Sequence, residues 1–231
     1  EHYNVISSLN WHPKTNLLLS ASTDRGAIVW EQGTGYKKYE FMPQMGMIKE
    51  QKANLDAAWN GRGDKFVIGS SSGYVYVGTY SKANNFWVAH PVSKKPQHKA
   101  SVVSVKFDPG CSRVVASASL DGTVQITSCF SEDLDKDSTS GPFGMVSSYG
   151  DVLVTIPSNA WINFVAFSPN SSIIAYGTHD SELNFANVAE VGSSNGKSKV
   201  KPEKLMLKGN PLLSGMFISD DKFVGAGFDK V

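Results

Sequence analysis

Val102-Val103-Ser104-Val105-Lys106-Phe107-Asp108-Pro109 runs on through Val114-Val115-Ala116-Ser117-Ala118-Ser119 to Leu120-Asp121-Gly122 and Thr123-Val124-Gln125-Ile126. Its first part is a short alternating strand that ends in an aromatic and is followed by a proline-bearing turn. Its second part is a strand that passes from large to small residues. An aspartate turn then leads into a third strand. Asp and Gly suit such a tight hairpin because Asp caps local amides and Gly tolerates positive φ.

The same order recurs along the chain. Val5-Ile6-Ser7-Ser8-Leu9-Asn10-Trp11-His12-Pro13 and Trp161-Ile162-Asn163-Phe164-Val165-Ala166-Phe167-Ser168-Pro169 repeat the first part. Weaker copies are Leu55-Asp56-Ala57-Ala58-Trp59-Asn60 and Leu212-Leu213-Ser214-Gly215-Met216-Phe217. The anchors Trp11, Trp59, Phe107, Phe167 and Phe217 lie 48, 48, 60 and 50 residues apart. These periods exceed slightly the roughly 40–45 residues of a standard propeller repeat. Second strands follow at Leu17–Ser22, Phe66–Ser70, Ile173–Thr178 and Phe223–Gly227, each running from large to small. In a wedge-shaped blade the large residues fill the space between sheets, and the small ones allow close approach where blades converge. The turns Thr23-Asp24-Arg25-Gly26 and His179-Asp180-Ser181 match Asp121-Gly122. Ser71-Ser72-Gly73 replaces the aspartate turn in the second copy, whose hairpin is expected to be held less tightly. No window shows a helical apolar period, so the fold class is all-β. The repeats divide the chain, read as one partial propeller domain, at roughly 1–49, 50–96, 97–156, 157–208 and 209–231.

Composition narrows the function classes. Hydrophobic residues make up 41% and charged residues 19%, enough apolar matter for a core, which excludes a wholly disordered chain. The 22 basic and 21 acidic residues balance to a net charge of +1, without the basic excess that phosphate-backbone binding needs. Nucleic acid is not expected as a partner. No stretch reaches the roughly 20 apolar residues that span a bilayer, and no secretory signal opens the chain, so no membrane is expected either. Cys111 and Cys129 alone make no disulfide framework and point to a reducing, cytoplasmic setting. The sequon Asn170-Ser171-Ser172 is then a chance match. A first residue Glu1 and an end within a repeat, at Gly227-Phe228-Asp229-Lys230-Val231, read as part of a longer polypeptide.

This repeat resembles the WD-repeat family of β-propellers. The Trp-Asp dipeptide is absent, but Trp30 stands where its Trp belongs and His2 where the histidine of a Gly-His pair would. The resemblance implies that His2, Asp24, Asp121 and Asp180 lock blade turns, as structural rather than catalytic residues. The segments between repeats carry a narrower resemblance, to the WD-repeat subunits of the actin-related protein 2/3 complex. It rests on Asn84-Asn85-Phe86-Trp87-Val88, Lys94-Lys95-Pro96 and Ser101–Val105, on Ser22-Thr23-Asp24-Arg25 with Val29-Trp30, and on Pro142-Phe143-Gly144 before Trp161. Ser181 after His179-Asp180, and Pro211-Leu212-Leu213 leading into Phe217-Ile218, complete a collinear set. Trp59-Asn60-Gly61 departs from it, lacking the proline after the anchor. The resemblance implies about five of seven blades. It also implies a scaffold that holds small neighbouring subunits and presents the complex to a mother actin filament and to nucleation-promoting activators, with nucleotide hydrolysis left to the actin-related subunits.

Catalytic and cofactor chemistry find little support. His179-Asp180 lacks a singled-out nucleophile, and Asp180 is already explained by its turn. His2, His12, His90, His98 and His179 show no metal-ligand spacing, and no cofactor is expected. Gly61-Arg62-Gly63 and Gly225-Ala226-Gly227 do not extend to a phosphate loop. The basic cluster Lys94, Lys95, His98 and Lys99, taken with Trp87, reads either as solvated surface or as an electrostatic docking patch with an aromatic anchor. Lys197, Lys199, Lys201 and Lys204, in a flexible basic loop, carry the same ambiguity. Phe41–Ile48 is an adaptable methionine-rich contact strip or an outer blade strand. The acidic stretch Ser131–Pro142 reads as a surface loop. A scaffold in the actin-related complex ranks first, a general WD-repeat adaptor second. A channel enzyme ranks last, because the second strands converge on Ser, Ala and Gly.

Overall fold

The computed structural model describes residues 1–33, 41–50, 52–135, 143–144, 148–189 and 200–228; of residues 41–45 and 47 it describes the backbone alone. The Phe41–Ile48 strip falls largely on those undescribed side chains. Much of the Ser131–Pro142 loop, together with Lys197, Lys199 and Asp229–Val231, lies outside the described residues.

The chain forms four four-stranded antiparallel sheets and a two-stranded one. The first contains β1 (Ile6–Trp11), β2 (Leu17–Ser22), β3 (Gly26–Gln32) and β4 (Phe41–Lys49). The second contains β5 (Asn54–Trp59), β6 (Lys65–Ser70), β7 (Val75–Ser81) and β8 (Phe86–Pro91). The third contains β9 (Val102–Phe107), β10 (Val114–Ser119) and β11 (Thr123–Ser128), a single helical turn α1 (Glu132–Asp135), then β12 (Val152–Pro157). The fourth contains β13 (Ile162–Phe167), β14 (Ile173–Thr178), β15 (Glu182–Asn187) and β16 (Glu203–Met206), and the fifth β17 (Leu212–Ser219) and β18 (Lys222–Gly227). Each sheet runs up and down in chain order, which makes it a propeller blade.

Each first strand packs on the next blade's first strand, from β1 through β5, β9 and β13 to β17. The first strands therefore wall the central channel, which Ser7, Asp56, Lys106, Asn163 and Ser214 line. This corrects the expectation that the small residues of the second strands meet at the centre. Those strands lie one position out, where β6 and β10 are buried along their whole length between neighbouring sheets. Their small residues serve packing: a Cβ added to Gly69 of β6 would lie 2.9 Å from Val102 Cγ1 of the next blade.

Polar latches join the blades at the channel. The Asp56 carboxylate accepts from Ser8 Oγ at 2.9 Å, from the Val105 amide at 2.9 Å and from Lys106 Nζ at 2.8 Å, tying three blades together. Asn163 Nδ2 donates to the Leu212 carbonyl at 2.9 Å. Asp56 and Lys106, the ionisable channel residues, are thus engaged with each other.

Candidate protein-interaction face

In an up-and-down blade the turns between second and third strands share one face with the segments that enter the next blade. That rim face carries the aspartate turns. In the first blade His2 Nδ1 lies 2.9 Å from Asp24 Oδ2 and His2 Nε2 lies 2.7 Å from Ser20 Oγ, which accepts from Trp30 Nε1 at 2.7 Å. Burial alone would raise the Asp24 carboxyl. The amides of Tyr3 and Gly26 and the His2 ring outweigh it and hold the group at about 2.

The third blade repeats the arrangement with a residue that the sequence reading had grouped with the lysines. His98 Nδ1 lies 3.3 Å from Asp121 Oδ2, and Nε2 lies 2.8 Å from Ser117 Oγ. The signal was present: His2 precedes Asp24 by 22 residues and His98 precedes Asp121 by 23. The tryptophan is missing here, because Thr127 stands six residues after Asp121, where Trp30 follows Asp24. In the second blade Ser72 Oγ bonds Ser70 Oγ at 2.9 Å in place of a carboxylate lock. In the fourth, Asp180 accepts from Thr178 Oγ1, and Ser158 occupies the histidine's place, its amide donating to the Gly122 carbonyl as the His98 amide does to that of Gly73.

The turns also differ in strain. Their left-handed position is glycine at Gly73 (φ 83°) and Gly122 (φ 78°), but Arg25 (φ 73°) and Ser181 (φ 64°) hold it elsewhere. A side chain there costs roughly 1–2 kcal/mol in backbone energy, offset partly by glycine's looser unfolded chain. Arg25→Gly is expected to stabilise the protein by about 0.5–1 kcal/mol, read as a higher urea midpoint with an unchanged slope. A lower midpoint would mean that the guanidinium contributes more than its strained turn costs.

Trp87 requires a correction. It is only 5% exposed and packs on Trp59 and Phe66 at ring distances of 4.9 and 5.6 Å. It sits near the start of β8, a strand that climbs to the rim before Lys94 follows, so a strand's length separates the two. It is a blade-interior residue, not an exposed anchor beside the lysines. Lys94, Lys95 and Lys99 are exposed on the rim face, with the Lys94 carbonyl bonded by Tyr74 Oη at 3.3 Å and the Lys99 amide by Asp121 at 2.8 Å. Lys201 is exposed, and Lys204 pairs with Glu182 at 2.8 Å.

Charge is divided between the faces. Exposed Arg25, Lys49, Lys52 and Lys208 join Lys94, Lys95 and Lys99 on the rim face, where the Asp24 and Asp121 carboxylates are spent on internal hydrogen bonds. The opposite face exposes Glu31, Glu132, Asp133, Asp151, Asp220 and Asp221 against Lys14, Lys82 and Lys222. Among the described residues exposed cations therefore gather on the rim face, while the opposite face mixes both signs. Among the described residues no group of three or more His, Cys, Asp or Glu could hold a metal, and no helix is long and apolar enough to cross a membrane.

Comparison with known proteins accords with this geometry. Residues 1–31 and 89–128, the two segments that hold His2 and His98, match the WD domain, G-beta repeat. The chain is 28% identical over 232 residues to actin-related protein 2/3 complex subunit 1A-B of Xenopus laevis, covering 99% of this chain and 59% of that protein. It is 30% identical over 230 residues to subunit 1A of Arabidopsis thaliana, covering 99% and 57%. Subunit 1 of Schizosaccharomyces pombe is 25% identical over 233 residues, covering 99% and 58%. The chain thus spans less than two thirds of the length of these relatives. It folds as a β-propeller with two segments that match the WD repeat, and these relatives, similar to it over 99% of its length, are subunit 1 proteins of the actin-related protein 2/3 complex.

Proposed function

We propose that the protein is a non-enzymatic scaffold subunit of an actin-related protein 2/3 complex and supports nucleation of branched actin filaments in the cytoplasmic actin cytoskeleton. The observation that carries this reading is similarity over 99% of the chain to subunit 1 of animals, plants and fungi. The physical mechanism is rigid display: latched blades present loops on two faces, the rim face rich in exposed cations, without changing shape. Other subunits of the complex, the actin filament and nucleation-promoting activators are the partners. Lys94, Lys95 and Lys99 supply an electrostatic docking patch on the rim, with the locks at His2, Asp24, Asp121 and Asp180 holding the turns behind it.

Affinity purification of the tagged full-length protein from native lysate tests the assignment. Co-purification of actin-related proteins and small companion subunits is expected. Recovery without them would assign the protein to another WD-repeat assembly. The double substitution Lys94→Ala, Lys95→Ala is expected to leave the melting temperature within about 1 °C while weakening co-purification, because exposed charges contribute little to folding but steer association. A lowered melting temperature with intact co-purification would make the pair structural.

A further inference from the structure

We propose that the rim around the 71–73 turn of the second blade is a docking surface for an anionic lipid bilayer. That turn breaks the pattern of its neighbours. Ser72 stands where Asp24 and Asp121 stand, so the centre of this sector carries hydroxyls and no carboxylate. The segment entering the blade differs as well. The Glu50 amide donates to the Arg25 carbonyl at 2.9 Å, as the His98 amide does to that of Gly73 at 3.1 Å. Glu50 thus takes the histidine's place, and its half-buried carboxylate is hydrogen-bonded to the Tyr76 phenol.

Cations surround the serine turn, and backbone bonds fix their places. The bond between Glu50 and Arg25 sets exposed Arg25 beside exposed Lys49. The Ser71 amide donates to the Ala53 carbonyl at 2.8 Å, which brings exposed Lys52 to one side of the turn. On the other side the bond from His98 to Gly73 brings Lys99, and the Tyr74 Oη bond at 3.3 Å brings Lys94 with Lys95. Six exposed cations therefore bracket one uncharged turn. Asp24, Asp121 and Glu50 are engaged with internal donors, and Glu1 is the exposed carboxylate among the described residues of this sector.

What the sector lacks selects its partner. Among the described residues from 12 to 133 no large hydrophobic side chain is exposed. Protein interfaces enrich aromatic residues and deplete lysine, so a lysine-rich face without an anchor is a poor match to one. Nucleic acid is read by arginine forks and stacking aromatics, whereas Arg25 is the single arginine of the cluster. A bilayer with acidic headgroups asks only for positive charge spread over a level surface, and each lysine near it strengthens adhesion about fivefold. Turns of neighbouring blades, held on one face of a rigid propeller, provide that surface. Attachment of this kind needs no spanning segment. The proposal rests on the docking-patch reading of Lys94, Lys95 and Lys99, extends that patch to Arg25, Lys49 and Lys52, and does not depend on the assembly assignment.

Sedimentation of the full-length protein with sucrose-loaded vesicles tests the surface. Vesicles of equimolar phosphatidylserine and phosphatidylcholine should carry the protein down at low salt and release it as salt rises. Pure phosphatidylcholine vesicles should leave it in solution. The pair Lys49→Glu, Lys52→Glu, and separately the pair Lys94→Glu, Lys99→Glu, should each weaken binding about tenfold or more. Lys14→Glu with Lys82→Glu, on the opposite face, should leave it unchanged, with equal melting temperatures throughout. Two rim pairs from different loops keep the test decisive if one of them lowers stability. Undiminished binding by both rim pairs, an equal loss in the opposite-face pair, or equal binding to phosphatidylcholine alone would overturn the surface. So would preference for an acidic peptide or a DNA duplex over the phosphatidylserine vesicles. Absence of vesicle binding while actin-related proteins still co-purify would refute this surface and leave the scaffold assignment standing. Vesicle binding without that co-purification would do the reverse.

Discussion

Replacing Asp135 by alanine is expected to lower the unfolding free energy by about 3–5 kcal/mol, the usual cost of stripping one partner from a buried ion pair. Asp135 and Lys65 are both fully buried, with Lys65 Nζ 2.5 Å from Asp135 Oδ2. Lys65 Nζ also donates to the Cys129 carbonyl at 2.9 Å. Arg62 donates to the other carboxylate oxygen, the Ser131 amide donates at 2.7 Å, and Arg113 donates to the Asp135 carbonyl at 3.0 Å. Removing the carboxylate leaves the Lys65 ammonium buried with neutral acceptors alone, whereas the partly exposed Arg62 can turn to water. The double substitution Lys65→Met, Asp135→Leu should recover most of the loss, since a hydrophobic pair avoids the desolvation of both ions. Burial opposes ionisation of Asp135, but Lys65, Arg62 and the Ser131 amide outweigh it and hold the carboxyl below its ordinary range. A depressed carboxyl stabilises the fold above the unfolded value of about 3.9, and that contribution is lost as pH falls below it. Urea unfolding at neutral pH and about pH 3 therefore checks both parts. An Asp135→Ala protein as stable as the wild type at neutral pH would show that Lys65 finds charge compensation elsewhere.

That ion pair joins residues 70 positions apart, and this distance explains why it was illegible in sequence. Asp135 lies within the Ser131–Pro142 stretch, whose acidity and turn residues suggest a surface loop, and nothing local marks it as buried. The repeats were legible for the opposite reason. Alternating first strands, large-to-small second strands and aspartate turns are short-range patterns, and all five blades follow from them. The fourth strand of each blade is governed by its neighbours rather than by its own sequence, and there the reading failed. Trp87 looked like an exposed aromatic because β8 was not recognised, although Asn84-Asn85 before it is a turn signal and Asn85 adopts a positive φ of 50°. His98 was hidden by company, a core histidine among surface lysines. Counting back from Asp121 by the 22 residues that separate His2 from Asp24 reaches Lys99, one position from it.

Replacing that aspartate, Asp121→Ala, is expected to cost about 1–3 kcal/mol, because its two oxygens gather donors from its own turn and from the 98–99 segment. Oδ1 accepts from the Thr123 amide at 3.0 Å and from Thr123 Oγ1 at 2.6 Å, while Oδ2 accepts from the Lys99 amide at 2.8 Å and faces His98. The third blade has no tryptophan to share the load, and Thr127 Oγ1 at that place finds no partner. Burial lowers the His98 pKa and outweighs the attraction of Asp121, so the ring is neutral in the fold. Its proton then belongs on Nδ1, donated to the carboxylate, while Nε2 accepts from Ser117. A neutral buried histidine gives stability a pH dependence of definite sign. Below the unfolded value of about 6.5 the unfolded chain takes up a proton that the folded one refuses, so stability falls with pH until the folded pKa is reached. Asp121 adds nothing to that slope, since its own lowered pKa places its titration below about 3.9. Urea midpoints compared at about pH 7.5 and about pH 5.5 should therefore drop further in the wild type than in His98→Gln, whose side chain does not titrate. A smaller drop in the wild type than in His98→Gln would mean that His98 is protonated in the fold, and the lock would then be an ion pair rather than a neutral hydrogen-bonded chain.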